Sequence, residues 1–230
     1  MTLRRRISTF VLRLAISLTV VVGAVGNASA QQFLRLQRDS VPMLRGFAVS
    51  ADLLGLAQLG ISDYGQIEGA LRINLHDQYF PIAEVGIGRA NHENDEVTGL
   101  TYKTSAPYFR IGCDVNLMKN KHTPNRIYGG IRYGYTSYKV DINRAPYVDP
   151  VWLTPTSYNV AGEACYQHWA ELLLGIDAKV AGPIHLGWSV RYRRRIAHDD
   201  GITGNTWYVP GFGRQGGTRL GGTFCLSIDI

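Results

Sequence analysis

WAELLLGIDAKVAGPIHLGWSVRYRRRIAH, residues Trp169–His198, decides how the rest of the chain is read. Four of the five residues 191–195 are arginines, which as a charge run would suit phosphate or nucleic acid. The alternation says otherwise. Ala170, Leu172, Leu174, Ile176, Ala178 and Val180 alternate with Trp169, Glu171, Leu173, Gly175, Asp177 and Lys179. After the turn signal Ala181-Gly182-Pro183, Ile184, Leu186, Trp188, Val190 and Tyr192 alternate with His185, Gly187, Ser189, Arg191 and Arg193. A period of two on both sides of a tight turn is a β-hairpin. Arg191 and Arg193 then share one face, and Arg194 follows Tyr192 on the other.

The same period recurs six more times. Apolar sets at Phe47–Leu53, Ile67–Leu75, Val85–Ile87, Phe109–Leu117, Ile127–Tyr135 and Leu220–Ile230 alternate with polar or glycine positions. After Thr136 the apolar set becomes Tyr138, Val140 and Ile142, which reads as a bulge or as the strand leaving the apolar layer. Eight strands result, with no helix of useful length expected. Turns near 76–77, 119–125 and 182–183 are short. Loops near 91–104, 143–166 and 198–216 are longer, and the first connection, near 59–64, is short. Short turns on one side and long loops on the other are the layout of an outer-membrane barrel.

Alternation alone also fits a soluble, lipid-binding barrel with its apolar face inward. The polar face discriminates. It mixes glycines (Gly46, Gly86, Gly88, Gly112, Gly130, Gly134, Gly175, Gly187) with single charges. Small residues beside charged ones suit the crowded interior of an eight-stranded barrel. Asp52, Glu68, Glu84, Asp114, Glu171 and Asp177 balance Arg72, Arg110, Arg132, Lys179, Arg191 and Arg193, six against six. Buried charges must be paired, so these twelve form the expected lumen network. The expected fold is all-β: an eight-stranded antiparallel transmembrane β-barrel, an up-and-down meander with a polar, filled lumen. So filled, it is too narrow for a porin.

The ends set the expected compartment. Arg4–Arg6, an apolar run strongest over Leu14–Val25 and the small-x-small pattern Ala28-Ser29-Ala30 read as a cleaved signal peptide over 1–30. Residues 31–43 would be a short periplasmic arm and 44–230 the outer-membrane barrel. The leader carries four arginines and no acid, so the formal +6 falls to +2 without it. A nearly neutral remainder argues against a nucleic-acid partner. Three cysteines, Cys113, Cys165 and Cys225, make no disulfide framework.

Chemistry-bearing patterns are sparse. Gly211-Phe212-Gly213-Arg214-Gln215-Gly216 matches GxGxxG, but a strand follows where a dinucleotide fingerprint needs a helix. His198-Asp199-Asp200, and His92-Glu93 with Asp95, fall in the longer loops, where rim bases could serve an enzyme acting on lipid or peptide. His168 and His185 read as structural. No cofactor, metal or catalytic residue is expected, and the protein is read as non-enzymatic.

The strings SDYGQIEGALRINLHDQYFPIAEVGIG (62–88), MKNKH (118–122), YGGIRYGYTSYKVD (128–141) and GNTWYVPGFGRQGGTRLGGTF (204–224) resemble an uncharacterised family of small outer-membrane β-barrel proteins of Bacteroidota. The resemblance covers the whole chain after the leader. It implies fold and location and brings no activity. Many such barrels end in an aromatic residue, whereas this chain ends in Ile230. The expected role is structural or interactive, a small subunit of an envelope complex being one form of it. Expected partners are outer-membrane lipid and lipopolysaccharide, with Arg194 and Arg195 as candidate lipopolysaccharide contacts, and the barrel-assembly machinery during insertion.

Overall fold

The computed structural model describes residues 40–96, 98–148, 154–204, 206–214 and 216–230. The leader expected over 1–30, and most of the arm over 31–43, lie outside them. The elements are β1 (Leu44–Asp52), α1 (Leu53–Ile61), β2 (Tyr64–Leu75), β3 (Tyr79–His92), β4 (Leu100–Asn116), β5 (Arg126–Val148), β6 (Pro155–Ala181), β7 (Ile184–Asp199), β8 (Tyr208–Val209), β9 (Gly213–Arg214) and β10 (Thr218–Asp229). β1–β7 and β10 form one closed antiparallel barrel, with β1 pairing β10, while β8 and β9 make a separate small hairpin. One end of the barrel carries the chain terminus and the tight turns. The other carries α1 and the longer connections, and is called the loop end below.

Register follows from the charges. Glu84 stands opposite Arg110, Arg132 opposite Glu171, Glu171 opposite Arg193, and Arg126 opposite Asp177. Opposite charges facing across a ladder stabilise it. A slip of one residue would turn all of them outward. The three-residue turn between β2 and β3 has His76 and Asp77 both at positive φ and is closed by the Gln78 amide donating to Leu75 O at 3.1 Å. Asn74 locks it by accepting from the Asp77 amide at 2.8 Å.

The two faces differ in kind. Outward positions are apolar and exposed around the wall, among them Val85, Ile111, Ile131, Leu172, Leu174 (63 %), Trp188 and Val190. Inward positions near mid-height are charged and buried. Towards the loop end the interior turns apolar, with Tyr102, Tyr138, Val140, Cys165 and Trp169 packed against Tyr208, Val209 and Phe212. The β8–β9 segment therefore folds back into the barrel mouth as a plug.

Four sequence expectations need correction. Leu53–Ile61 is a helix, not the end of a strand and a short connection. LLGLAQLGI has no alternation to hold it in the sheet, and the Asp52 carboxylate caps the helix by accepting from Leu54 N at 3.1 Å. The phase does not flip at Thr136. Arg132, Thr136, Tyr138, Val140 and Ile142 all point inward. What changes there is the interior, from charged to apolar; the register break in β5 comes later, between Val140 and Ile142. The predicted loop over 143–166 is largely strand, because β5 runs to Val148 and β6 starts at Pro155. At 23 and 27 residues, both exceed the ~9–11 that a bilayer-crossing strand needs. Lastly, Lys179 is exposed at the turn end, outside the lumen. β6 pairs with β5 only as far as Asp177–Arg126 at this end, so Lys179 pairs only with His185 of β7 and lies past the closed part of the wall.

Candidate functional site

Most of the buried charges form one connected cluster. Arg110 lies at its centre, fully buried, and ion-pairs with Glu68, with Glu84 at 2.8 Å and with Glu171 at 3.2 Å. Glu84 also holds Arg191 through two bonds, at 2.8 and 3.1 Å, and Arg132 at 3.3 Å. Arg132 grips Asp114 with both terminal nitrogens, at 2.7 and 2.9 Å. Glu171 adds Arg191, Arg193 at 3.3 Å, and the Trp169 indole N–H at 2.7 Å. Nearer the turn end, Asp177 takes Arg72 at 3.1 Å, Arg126 at 3.0 Å and His185 at 2.8 Å.

Eleven of the twelve expected lumen residues point inward: Asp52, Glu68, Arg72, Glu84, Arg110, Asp114, Arg132, Glu171, Asp177, Arg191 and Arg193. Asp52 stands apart from the cluster, bonded to backbone N–H groups of Leu54 and Phe224. Arg126 takes the place assigned to Lys179, so six acids and six arginines point inward, and five of the acids meet arginines directly. Arg126 shares parity with Tyr128, Gly130 and Arg132; starting β5 one residue late hid it.

The inward glycines make room for this cluster. A side chain at Gly130 would overlap Asp114, at Gly112 the Arg132 side chain, at Gly134 the Trp169 indole and at Gly175 Tyr128. The space left inside is small. The cavity between Glu84, Arg132, Asp177 and Arg191 holds about 20 Å³, near the size of one water site. Such a lumen anchors strands; it has no room for a substrate.

The loop-end candidates are separate from this cluster. His198 lies 3.5 Å from Asp200, and the hydroxyls of Thr206 and Thr203 donate to the Asp200 carboxylate at 3.5 Å and to its backbone oxygen at 2.6 Å. Gly211 and Gly213 take positive φ, and a side chain at Gly211 would overlap Tyr108. The first part of the GxGxxG string, Gly211–Gly213, thus makes the turn of the plug. Arg194 is exposed and Arg195 half-buried, its amide bonded to Gly217 O. Among the described residues no group of three or more His, Cys, Asp or Glu is placed to hold a metal, and the three cysteines are free thiols.

His92, beyond the apolar belt, joins three connections. Its ring bonds Asp63 at 2.7 Å and Asp95 at 3.2 Å, and stacks on Trp207 at 4.5 Å. The bond to Asp63 raises its pKa above the ordinary histidine value; partial burial opposes this and Asp95 adds to it. A raised folded pKa stabilises fully below about 6.5, and the benefit is lost as pH rises through the folded value. His92→Asn is accordingly expected to lower the thermal midpoint more near pH ~5.5 than near pH ~9. An equal loss at both would refute the imidazolium clamp.

A family model matches residues 11–229. The chain belongs to the DUF6048 family, described as a domain of unknown function. No curated protein matches it. Among the solved structures that resemble this DUF6048 chain are the following three. Neisserial surface protein A is 10 % identical, with TM-score 0.39, covering 81 % of this chain and 99 % of its own. Ail, the attachment invasion locus protein of Yersinia pestis, solved with the heparin analogue sucrose octasulfate, is 9 % identical, with TM-score 0.36 and coverage of 80 % and 93 %. A major outer membrane protein of Thermus thermophilus is 13 % identical, with TM-score 0.46 and coverage of 80 % and 98 %.

Proposed function

We propose that this protein is an integral outer-membrane barrel with a structural or interaction role, and neither a porin nor an enzyme. One observation carries the reading: the wall is apolar outside and charged inside. A soluble barrel has the reverse arrangement, since water would face the Leu, Ile and Val positions. An exposed belt of that extent requires a lipid or protein cover, and a closed barrel is the one sheet form that leaves no edge bare in lipid. The packed lumen and the plugged mouth speak against conduction. The tall β4–β6 wall, rising past the belt, is where a partner in the envelope would be met.

Membrane fractionation tests this. The protein should resist extraction by carbonate and migrate differently on gels before and after boiling. Release by carbonate alone would sink the membrane reading. In planar bilayers the purified protein should give no porin-sized conductance steps, and steady large steps would overturn the filled-lumen account.

A further inference from the structure

The outer wall changes chemistry within one step along β3, β4 and β5. Ile87, Pro107 and Ser137 face outward at the upper edge of the apolar belt. Two residues further towards the loop end, the same strands present Arg89, Ser105 and Lys139, all exposed. Arg89 pairs with Ser105 across β3 and β4. The β4–β5 register, fixed by Thr104–Val140 and Tyr108–Thr136, sets Lys139 on the other side of Ser105. The three form one row, with the two cations separated by two strand spacings, roughly 10 Å. Ser105, between them, is too short to fill the space.

The charges of this row are unmatched. Neither the Arg89 guanidinium nor the Lys139 ammonium has an acid or hydrogen-bond partner among the described residues. Both line an open hollow of about 820 Å³, together with Asp63, Lys103 and Asp141. These three are engaged elsewhere. Asp63 bonds His92 at 2.7 Å, Asp141 accepts from Gly162 N at 2.7 Å, and Lys103 ion-pairs with Glu93 at 3.3 Å.

Directly beneath the hollow, an open groove of about 610 Å³ runs into the belt, lined by Ile67, Val85, Ile87, Pro107, Phe109 and Tyr135. Gly69 and Ser137, also in its lining, leave room that a larger outward side chain would take. An occupant must therefore be anionic above and hydrocarbon below. A free anion leaves the groove empty, and a neutral acyl chain leaves the cations unmatched. Phosphate accepts from guanidinium and ammonium alike. The longer connections mark the loop end as the external side, so the lipid beside this row is that of the outer leaflet. We propose that this face of β3–β5 binds phosphorylated lipid A, with a phosphate between Arg89 and Lys139 over Ser105 and an acyl chain in the groove. This rests on the membrane reading given above.

The test is native mass spectrometry of the full protein in mild detergent. It is titrated separately with bisphosphorylated lipid A, with dephosphorylated lipid A of the same acyl chains, and with phosphatidylglycerol. The first should be retained about tenfold more tightly than the other two, the scale of one charge-assisted hydrogen bond. Arg89→Gln combined with Lys139→Gln should weaken its retention by about the same factor or more. Ser137→Phe, which fills the groove and alters no charge, should weaken it as well. Arg194→Gln combined with Arg195→Gln removes equal charge from β7 and should leave it unchanged. Equal retention of dephosphorylated lipid A, an unaffected Arg89–Lys139 variant, or equal losses in the two double variants overturns the site. Equal retention of phosphatidylglycerol overturns the assignment to lipid A. Boiling-dependent gel migration of each variant shows that it is folded. A membrane-resident, folded barrel without phosphate preference defeats this site alone, whereas a carbonate-soluble wild type defeats the membrane reading.

Discussion

Glu84→Ala is expected to cost the barrel about 3–5 kcal/mol, the scale of breaking a buried ion pair from one side. Glu84 is 1 % exposed and faces Arg110, Arg132 and Arg191. Removing it leaves three guanidiniums together in a space with room for little more than one water. Their mutual repulsion falls on strands β4, β5 and β7 at once. The measurement is the thermal or urea midpoint of the purified protein in detergent, followed by circular dichroism. Lys179→Ala is the control: exposed at the turn end, it should change stability by less than about 0.5 kcal/mol. Comparable losses for the two would mean that the lumen charges do not hold the wall together.

The second large effect joins Gly134 and Trp169. Trp169 is fully buried, packs edge-on against Phe212 and donates to Glu171. It thus ties the plug to the charged layer. Trp169→Ala should cost about 3–5 kcal/mol through the cavity it leaves. Gly134→Ala alone should cost about 1–3 kcal/mol, because the new methyl overlaps the indole and neither backbone nor ring has slack. In the Trp169→Ala background the same methyl enters empty space and should be close to neutral. Strict additivity of the two changes would refute the contact.

Much of the barrel was legible because period-2 alternation is a strong local signal, and because a narrow lumen leaves its own record. An outward Leu172 beside an inward Glu171, or Ile111 between Arg110 and Gly112, states which face is which. Most inward glycines were readable for the same reason: Gly86, Gly112, Gly130, Gly134 and Gly175 stand where another side chain crosses the lumen. The misreadings have physical causes. Lys179 keeps the parity of Asp177, but parity does not say where the wall ends. Arg126 was lost by the same uncertainty at the start of β5. Residues 53–61 are apolar or glycine except for Gln58, and a short, nearly continuous apolar run cannot distinguish a helix from a buried strand. The apparent flip at Thr136 came from assuming one interior chemistry along the whole barrel. The plug was hidden because the reason for burying Phe212 lies on Tyr108 and Trp169, far away in the chain. The His92–Asp63–Asp95 cluster likewise depends on three connections meeting.

The distribution of the lumen charges among hairpins bears on how the barrel is assembled. The β2–β3 pair brings Glu68, Arg72 and Glu84, an excess of one acid. The β4–β5 pair brings Arg110, Asp114, Arg126 and Arg132, an excess of two cations. Only β6–β7 is balanced by itself, with Glu171 and Asp177 against Arg191 and Arg193. A β2–β3 or β4–β5 hairpin entering hydrocarbon alone would carry uncompensated charge, and so would most partial sheets. Neutrality arrives late, when distant hairpins face each other across the axis. The order of events is thereby constrained: the sheet must curl and match its charges in a hydrated or protein-lined setting first. On the membrane reading proposed above, crossing into lipid would come after that matching.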